Sequence, residues 1–153
     1  MDQIIIREAR FDDPAVRQLI GLAMAELSAR YGGSGDDTPV AVTDFEPPNG
    51  AFLVAQDATG RLIGCAGWRA HGEDAELKRM FTISAARGRG VARRVLAAVE
   101  DSAREHGRKR VILETGDKQP EAVALYEKCG YERIEDFGFY KDEPGVLSYA
   151  RTL

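Results

Sequence analysis

An arginine- and glycine-rich turn is the part of the sequence whose residue types most directly suggest chemistry. It reads Arg87-Gly88-Arg89-Gly90-Val91-Ala92-Arg93-Arg94. Apolar residues repeat at helical spacing from Val91 to Val99, so the turn is predicted to open a helix. The free amides and the dipole of a helix's first turn attract anions, and glycines let a ligand approach the backbone closely. The turn therefore predicts a phosphate or pyrophosphate site.

The turn does not match the two common nucleotide-binding motifs. It lacks the Gly-Lys-Ser/Thr end of a P-loop. It also lacks the third glycine of a dinucleotide-binding fingerprint, and the strands before it are predicted to be antiparallel, unlike those of a Rossmann repeat. Glycines between a strand and a helix are common in any protein, so a purely structural turn is the alternative interpretation.

Periodicity and turn signals outline the elements that must position this turn. The predicted strands are Ile4–Ile6, Ala51–Gln56, Arg61–Arg69, Asp74–Thr82, Val111–Leu113, a stretch around Tyr131, and Val146–Ala150. The predicted helices run from Pro14 to near Arg30, from Val91 to about His106, and from Pro120 to Gly130. Residues 32–50 are predicted to form a loop or a broken helix, because four glycines and three prolines interrupt them.

The order of these elements predicts an α/β fold with a mixed, mostly antiparallel sheet. One strand–turn–helix–strand passage forms a βαβ unit, whereas the strands before it form an antiparallel meander. Helices are expected on both faces, since a wholly apolar strand is typical of a sheet covered on both sides. Neither a repeat nor a linker divides the chain, so residues 1–153 are expected to form a single domain.

Composition and charge exclude several classes of protein. An apolar share of 44% is enough for a core and argues against global disorder. A net charge of −4 argues against nucleic-acid binding by bulk charge. The first residues lack the basic region of a secretory signal, and no apolar run approaches the ~20 residues of a membrane span. The protein is therefore expected to be cytoplasmic, with neither nucleic acid nor membrane as a partner.

Metal-dependent and cysteine-based chemistry have little support in the sequence. No CxxC, HxxxH or similar ligand spacing occurs, so no metal is predicted. Cys65 and Cys129 are interpreted as free structural thiols of a reducing compartment. A nucleophilic cysteine would need a histidine partner, and His71 and His106 each lie beside a predicted element end.

Three segments of the chain, Glu76–Thr82, Arg87–Ala92 and Ala124–Tyr131, together carry a family pattern. The second matches Q/R-x-x-G-x-G/A. That pattern is the signature of the GNAT superfamily of acetyl-CoA-dependent N-acetyltransferases, which the chain resembles. The first segment is similar to the family's fourth strand, and the third resembles its helix–strand segment "LYEKxGF". The element order matches over nearly the whole chain, so the resemblance implies a sheet that splays apart between strands four and five.

The resemblance implies acetyl-CoA as the cosubstrate and places it along the turn and the fourth strand. The backbone amides implied to hold the coenzyme A pyrophosphate are those of Arg87, Gly88, Arg89, Gly90, Val91 and Ala92. The backbone implied to pair with the pantetheine arm is that of Met80, Phe81 and Thr82. This arm would enter where the fourth strand leaves the fifth, here Val111–Thr115. Gln119 stands where many relatives have an asparagine that contacts the cofactor.

Acetyl transfer to an amine needs a proton donor for the leaving thiolate and a base for the amine. Tyr126 matches the family's general-acid tyrosine, which the resemblance also implies to contact the cofactor. The alternative is a core tyrosine on an amphipathic helix. Glu76 lies on the fourth strand, where some relatives place a carboxylate base that acts directly or through water. A solvated or salt-bridged side chain is the alternative, and Glu73 is a poorer candidate base. The oxyanion donor is expected to be a backbone amide, such as that of Phe81.

The acceptor site is implied to lie in the segments 31–50 and 133–145. The first segment holds four acids and no basic residue, and the second holds four acids and three aromatic residues. Acids with aromatic residues suit a cationic amine, such as a polyamine, an aminoglycoside-like amine or a basic peptide. Acidic loops also serve solubility alone, which is the alternative interpretation.

The resemblance therefore implies an N-acetyltransferase that transfers the acetyl group of acetyl-CoA directly to a primary amine of a small molecule or a basic peptide. The acidic segments favour a cationic acceptor. The alternative is a catalytically silent acyl-CoA-binding sensor or interaction module, which would not need Tyr126. The identities of the acceptor and the base, and the use of acyl groups other than acetyl, stay open. The resemblance is also compatible with a homodimer, for which the sequence itself carries no signal.

Overall fold

The computed structural model describes residues 3–153, which form a seven-stranded sheet and three α-helices. The strands are β1 Ile5–Glu8, β2 Gly50–Gln56, β3 Leu62–His71, β4 Asp74–Thr82, β5 Arg110–Gly116, β6 Glu132–Arg133 and β7 Val146–Thr152. The α-helices are α1 Pro14–Tyr31, α2 Val91–Glu105 and α3 Pro120–Lys128, and short 3-10 helices occupy Val42–Phe45 and Ser84–Ala86. Each predicted helix and strand is present, with its bounds shifted by a few residues.

Local signals explain where the helices begin. Asp13 caps α1, because its carboxylate accepts a hydrogen bond from Ala15 N at 2.8 Å. Pro14 follows in the first turn, where no amide partner is needed. Pro120 opens α3 in the same way, and Gly90 precedes α2 with a φ of +77°, which a glycine adopts without strain. These start signals are local in the chain, which is why the predicted helix starts agree with the structure.

The sheet has the order β1-β2-β3-β4-β5-β7-β6, and every neighbouring pair except β4–β5 is antiparallel. The parallel pair is joined at only two register positions, Ala75 with Val111 and Glu76 with Ile112. Beyond these positions the two strands diverge toward their carboxyl ends. The structure thus confirms the predicted mixed sheet, which is mostly antiparallel and splayed between its fourth and fifth strands.

Burial on both faces holds the inner strands in place. Every residue of β2 from Gly50 to Ala55 is buried, so both faces of this strand are covered. Trp68 on β3 is fully buried, and its indole N–H donates to Ser102 Oγ on α2 at 2.9 Å. This hydrogen bond satisfies the one polar group of a large apolar side chain. The packing sets the positions of β3 and β4, and thereby one wall of the opening between β4 and β5.

Both cysteines are free thiols, as predicted. Cys65 is buried on β3, and its Sγ donates to Arg79 O at 3.3 Å. Burial raises the pKa of this thiol to about 12, so it stays protonated and has little nucleophilic character. Within residues 3–153, no helix combines the length and the apolar character that crossing a membrane requires.

Candidate active site

A cavity of about 600 Å³ occupies the opening between the diverging strands β4 and β5. Residues 78–80 of β4 form one wall, and residues 113–116 of β5 form the opposite wall. Tyr126 of α3 also lines the cavity, and the segments 35–37 and 139–146 contribute residues to its border. The cavity therefore brings together the fourth strand, the tyrosine, and both segments in which the acceptor site is expected.

A β-bulge in β4 shapes one wall of the cavity. The pairing register of β4 with β3 shifts at this point, so Arg79 and Met80 together lie opposite a single residue of β3. Arg79 has a φ of +58°, a left-handed conformation that is uncommon for residues with a Cβ. The bulge interrupts the alternation of a regular strand. As a result Lys78 and Arg79, although adjacent in the chain, both pair with Asp36.

The phenol of Tyr126 has only a weak hydrogen-bond acceptor beside it. Tyr126 is 6% exposed, and its hydroxyl donates to Met80 Sδ at 3.5 Å. A thioether sulfur is a weak acceptor, which a stronger one can replace. Burial raises the pKa of this phenol, so it stays protonated at neutral pH. Tyr126 is thus a proton-bearing group on the wall of the cavity.

Glu114 on β5 is a cavity-lining carboxylate that no sequence pattern marks as catalytic. Its Oε2 accepts from Tyr140 N at 3.0 Å, whereas its Oε1 is buried without a hydrogen-bond partner among residues 3–153. Burial raises the pKa of this carboxyl group, and the Tyr140 hydrogen bond and the charge of Lys78 partly offset the rise. The available signal in the sequence is an acid that directly follows the apolar run Val111-Ile112-Leu113.

Glu76 and Glu73, the two carboxylates considered as bases, both form ion pairs. Glu76 is buried, and its Oε1 accepts from Arg69 Nε at 2.9 Å. It is not among the residues that line the cavity, so the structure does not bring it together with Tyr126 there. Glu73 is exposed in the turn between β3 and β4 and pairs with Lys109 at 2.9 Å. The role of Glu76 as the base stays a prediction. Its side chain forms a salt bridge with Arg69, which is the alternative to a catalytic role.

The two glycines of the predicted anion turn have the geometry that close approach of a ligand requires. Gly88 and Gly90 have φ values of +79° and +77°. Apart from the adjacent residues, no atom of residues 3–153 lies within 4 Å of the position that a Cβ would take at either glycine. Arg94 N donates to Gly90 O at 3.1 Å and begins the helical ladder of α2. The amides of residues 91–93 precede this bond, and such first-turn amides are the donors that bind anions.

Arg87 holds the turn in place. Its guanidinium donates to Glu26 Oε2 at 2.7 Å and to Thr82 O at 3.1 Å. Its amide donates to Ser84 O at 3.3 Å. The side chain thus ties the turn to α1 and β4, and the amide already has an acceptor. The amide of Arg87 is thus partnered within the turn, and the binding of a pyrophosphate by the amides of this turn stays a prediction.

The other residues assigned to the cofactor connect the cavity with the turn. Met80 lines the cavity, and Phe81 and Thr82 follow it in β4 and pair with β3. The turn itself begins a few residues later. Gln119 also lines the cavity, where its side-chain amide donates to Tyr31 OH at 3.4 Å. The predicted cofactor residues thus form a continuous path along β4 to the start of α2.

Asp36 is the centre of a hydrogen-bond network on the cavity border. Its Oδ1 accepts from Thr38 N at 3.0 Å, from Thr38 Oγ1 at 2.6 Å and from Tyr140 OH at 2.7 Å. Its Oδ2 lies 3.5 Å from Lys78 Nζ and also accepts from Arg79 Nη1. Although burial opposes ionisation, the charge of Lys78 and these hydrogen bonds lower the pKa of Asp36 to about 2.

Other acids of the segment 31–50 are also paired with bases from other elements. Asp44 forms an ion pair with Arg69 at 3.1 Å, and Glu46 pairs with Arg10 at 3.5 Å. A carboxylate that already has a cationic partner attracts a second cation less strongly. These pairs weaken the attraction of this segment for a cationic acceptor, whereas Asp37 lines the cavity and accepts a hydrogen bond from Ser34 Oγ. The cationic acceptor stays a prediction.

Known proteins with similar sequences include acetyltransferases. The family model of the acetyltransferase (GNAT) family matches residues 18–131. The chain is 39% identical over 151 residues to an IAA acetyltransferase of Azospirillum brasilense, and the match covers 97% of each chain. It is also 34% identical over 111 residues to an N-acetylaspartate synthetase of Rattus norvegicus, which covers 71% of this chain and 37% of that protein.

Solved structures with a similar fold include acetyltransferases of the GNAT family. A solved acetyltransferase of the GNAT family from Staphylococcus aureus Mu50 superposes on this chain with a TM-score of 0.81. The match covers 99% of each chain at 20% sequence identity, so it concerns the fold alone. The family model, by contrast, matches the sequence from α1 through the glycine turn to the segment after α3. On this evidence the chain belongs to the GNAT acetyltransferase family.

Proposed function

We propose that this protein transfers the acetyl group of acetyl-CoA directly to the primary amine of a small acceptor. The observation that carries the proposal is the cavity between β4 and β5, which both Tyr126 and Glu114 line. Tyr126 has a protonated phenol, and one carboxylate oxygen of Glu114 is buried without a hydrogen-bond partner among residues 3–153. A phenol can protonate a leaving thiolate, and a carboxylate can take a proton from an attacking amine. Both needs of an acetyl transfer therefore have a candidate residue in one cavity.

The glycine turn fits the pyrophosphate of coenzyme A. Open space lies beside Gly88 and Gly90, and the first-turn amides of α2 follow directly. Arg93 is exposed on that turn, where a guanidinium can add a charge-assisted contact to a phosphate oxygen. The pantetheine arm would follow Met80–Thr82 toward the cavity. When bound there, the thioester supplies a carbonyl carbon that an amine can attack.

Tyr126 and Glu114 would divide the proton transfers between them. Starting from an ammonium group, Glu114 takes one proton and passes it to solvent, which leaves a neutral amine. The nitrogen–carbon bond forms and the carbon–sulfur bond breaks, while Tyr126 gives its proton to the departing sulfur. The second proton of the nitrogen restores the phenol. The products are an amide, a thiol and one proton in solvent, so atoms and charges balance.

The names of two relatives support a small acceptor. The relative from Azospirillum brasilense is called an IAA acetyltransferase, and that from Rattus norvegicus an N-acetylaspartate synthetase. Both names refer to small molecules and not to proteins. We therefore propose that the molecule that accepts the acetyl group is a small molecule and not a basic peptide.

The proposal is tested by measuring steady-state release of the coenzyme A thiol from acetyl-CoA with a panel of amino acids, polyamines, aminoglycosides and a basic peptide. We expect at least one small amine to accelerate release. Tyr126→Phe should then lower kcat roughly 100-fold, because general acid catalysis typically contributes a factor of this order. The affinity for coenzyme A should change little, since the hydrogen bond that the hydroxyl group makes among residues 3–153 is the weak one to Met80 Sδ.

Tyr149→Phe is the matched control for this variant. Tyr149 is also buried, but its hydroxyl donates to Glu127 Oε2 at 3.0 Å, and it does not line the cavity. We expect this variant to keep kcat near the wild-type value. If acetyl-CoA binds, no amine accelerates thiol release and Tyr126→Phe changes nothing, the protein is a silent acyl-CoA-binding module.

A further inference from the structure

Two cationic side chains lie buried next to each other on the β4 wall of the cavity. The side chains of Lys78 and Arg79 are only 6% and 7% exposed. Thr38 contacts both, because its hydroxyl accepts from Lys78 Nζ at 3.0 Å and its carbonyl from Arg79 Nη2 at 3.1 Å. Their positions are thus set before an acceptor binds, which lowers the entropy lost on binding.

The two cations of this wall outnumber the carboxylates that form ion pairs with them. Among residues 3–153, Asp36 is the one carboxylate that forms an ion pair with Lys78 or Arg79. Glu114 lines the same cavity but forms no ion pair with either. Two buried positive charges therefore share one paired carboxylate. A buried charge without a full counter-charge is unfavourable, so an anionic group bound beside these cations would be stabilised.

Both cations also have hydrogen-bond donors left over. A lysine ammonium carries three N–H donors, and an arginine guanidinium carries five. Within the described part of the chain, Lys78 contacts Thr38 Oγ1 and Asp36, and Arg79 contacts Asp36 and Thr38 O. The remaining donors can bind the two oxygens of a carboxylate through charge-assisted hydrogen bonds.

The β5 wall offers the complementary group. Glu114 Oε1 is a buried acceptor without a partner in the part of the chain that the structure describes. This oxygen packs against Gly138. A side chain at that position would collide with it, since a Cβ there would lie 2.5 Å from the oxygen. An unsatisfied buried acceptor is unfavourable, and an amine N–H would satisfy it. The cavity thus has donors for an anion on one wall and an acceptor for an amine on the other.

We infer that the acceptor carries a carboxylate as well as its primary amine. The carboxylate binds to Lys78 and Arg79, and the amine donates to Glu114 Oε1, which then takes its proton. The inference rests on the proposed function and narrows its acceptor to amino carboxylates, of which amino acids are the simplest. Polyamines lack the anionic group and would place a second cation near Lys78 and Arg79.

Matched amines in the thiol-release assay test this inference on the wild-type protein. The probes are the standard L-amino acids, their carboxamides, putrescine and spermidine. We expect at least one amino acid to exceed its own carboxamide and both polyamines in kcat/KM by about 10- to 100-fold, the effect of losing a charged hydrogen-bond partner. Carboxamides or polyamines that match or exceed every amino acid would overturn the inference and leave the proposed function standing.

Lys78→Met tests the role of the cation itself, because it removes the charge and keeps the length of the side chain. We expect it to raise KM for the preferred amino acid about 10- to 100-fold and to bring the ratio of amino acid to carboxamide close to one. Lys109→Met is the matched control, since Lys109 is exposed and pairs with Glu73 away from the cavity. A merely structural role for Lys78 would lower the rates with both probes and preserve their ratio, which would overturn the inference.

Titration calorimetry provides a readout that does not depend on turnover. Each amino acid and its carboxamide is titrated into the complex of the protein with coenzyme A. If an amino acid binds more tightly than its carboxamide, and Lys78→Met abolishes this difference, the inference is supported. This result holds even if no amine accelerates thiol release and the proposed function fails. Carboxylate-independent binding, or no binding of any amino acid, overturns the inference. The two failures are thereby distinguishable.

Discussion

Glu114 is a carboxylate of the cavity lining whose two oxygens have different surroundings. Tyr140 N fixes Oε2 at 3.0 Å, and Oε1 has no partner among residues 3–153. Burial raises the pKa of Glu114; the charge of Lys78 opposes the rise, and the carboxylates of Glu76 and Asp36 increase it. A carboxylate with a raised pKa is a stronger base, which suits proton transfer from an amine near neutral pH.

We predict that Glu114→Gln removes one ionisation from the pH profile of kcat/KM. The base is active as the carboxylate, so wild-type activity should fall as the pH drops through the raised pKa of Glu114. The glutamine variant should lack this fall and lose roughly 100-fold in kcat at neutral pH. The ionisation of the acceptor amine is common to both proteins, so comparing the two profiles isolates the contribution of Glu114.

Glu76→Gln is the decisive comparison for the base. Glu76 pairs with Arg69 at 2.9 Å and does not line the cavity. We therefore expect this variant to keep the acidic limb of the pH profile, that is, the fall of kcat/KM at low pH. Loss of that limb in Glu76→Gln, with its retention in Glu114→Gln, would instead establish Glu76 as the base.

At the scale of elements, the β4–β5 splay and the glycine turn form the two ends of one binding groove. The strands pair at two register positions only, and their divergence opens the cavity. β4 then leads through Thr82 to the turn, where Arg87 ties the backbone to Glu26 of α1. The thioester end and the pyrophosphate end of a bound coenzyme would thus be set by the same strand.

We predict that Gly90→Glu weakens binding of coenzyme A about 100-fold or more, measured as Kd by titration calorimetry. The new side chain would enter the open space beside the first turn of α2 and place a carboxylate where a phosphate is expected. A negative charge at a helix N-terminus is not unfavourable in itself, so the fold should tolerate it.

Gly60→Glu controls for the strain of this substitution. Gly60 has a φ of +88°, close to the +77° of Gly90, and a Cβ there also meets no atom within 4 Å. It lies in the turn between β2 and β3, outside the proposed groove. Both variants carry similar backbone strain, so only Gly90→Glu should change the Kd. Equal Kd values in the two variants would show that the turn does not bind the pyrophosphate.

At the scale of the whole molecule, Asp36 joins parts of the chain that are far apart in sequence. It pairs with Arg79, 43 residues away, and accepts from Tyr140 OH, 104 residues away. The segment after α1, the bulge of β4 and the segment before β7 are therefore held together at the cavity border. Removing one partner of such a buried network leaves the other charges uncompensated.

We predict that Asp36 stabilises the fold in a pH-dependent way. Its pKa is lowered from 3.8 to about 2 in the folded protein, so its contribution of about 2 kcal/mol is present above pH ~4 and is lost as the pH falls through 2. Urea unfolding at pH 6 and pH 3 should show that the wild type loses about half of this contribution, whereas Asp36→Asn loses none of it. An equal acid-induced loss in both proteins would contradict the prediction.

The order of elements, the glycine turn at the start of α2 and the position of Tyr126 on α3 could all be predicted from the sequence. Caps such as Asp13 and Gly90, apolar periodicity and turn residues act over a few positions, so the chain displays them directly. The divergence of β4 from β5 followed from resemblance alone, since no local pattern determines where two parallel strands separate. The bulge at Arg79 had no signal that we can identify in the sequence.

The pairing of charges was decided by the tertiary structure. The acids of segment 31–50 form an unbalanced cluster in the sequence, yet Arg69 and Arg79 reach Asp44 and Asp36 from neighbouring strands. By the same packing Glu76 faces an arginine and Glu114 faces the cavity. The amino-acid sequence sets which residue types are available and in what order. Folding sets which carboxylates remain unpaired, because the interactions that neutralise a buried charge join residues that only the folded chain brings within contact distance.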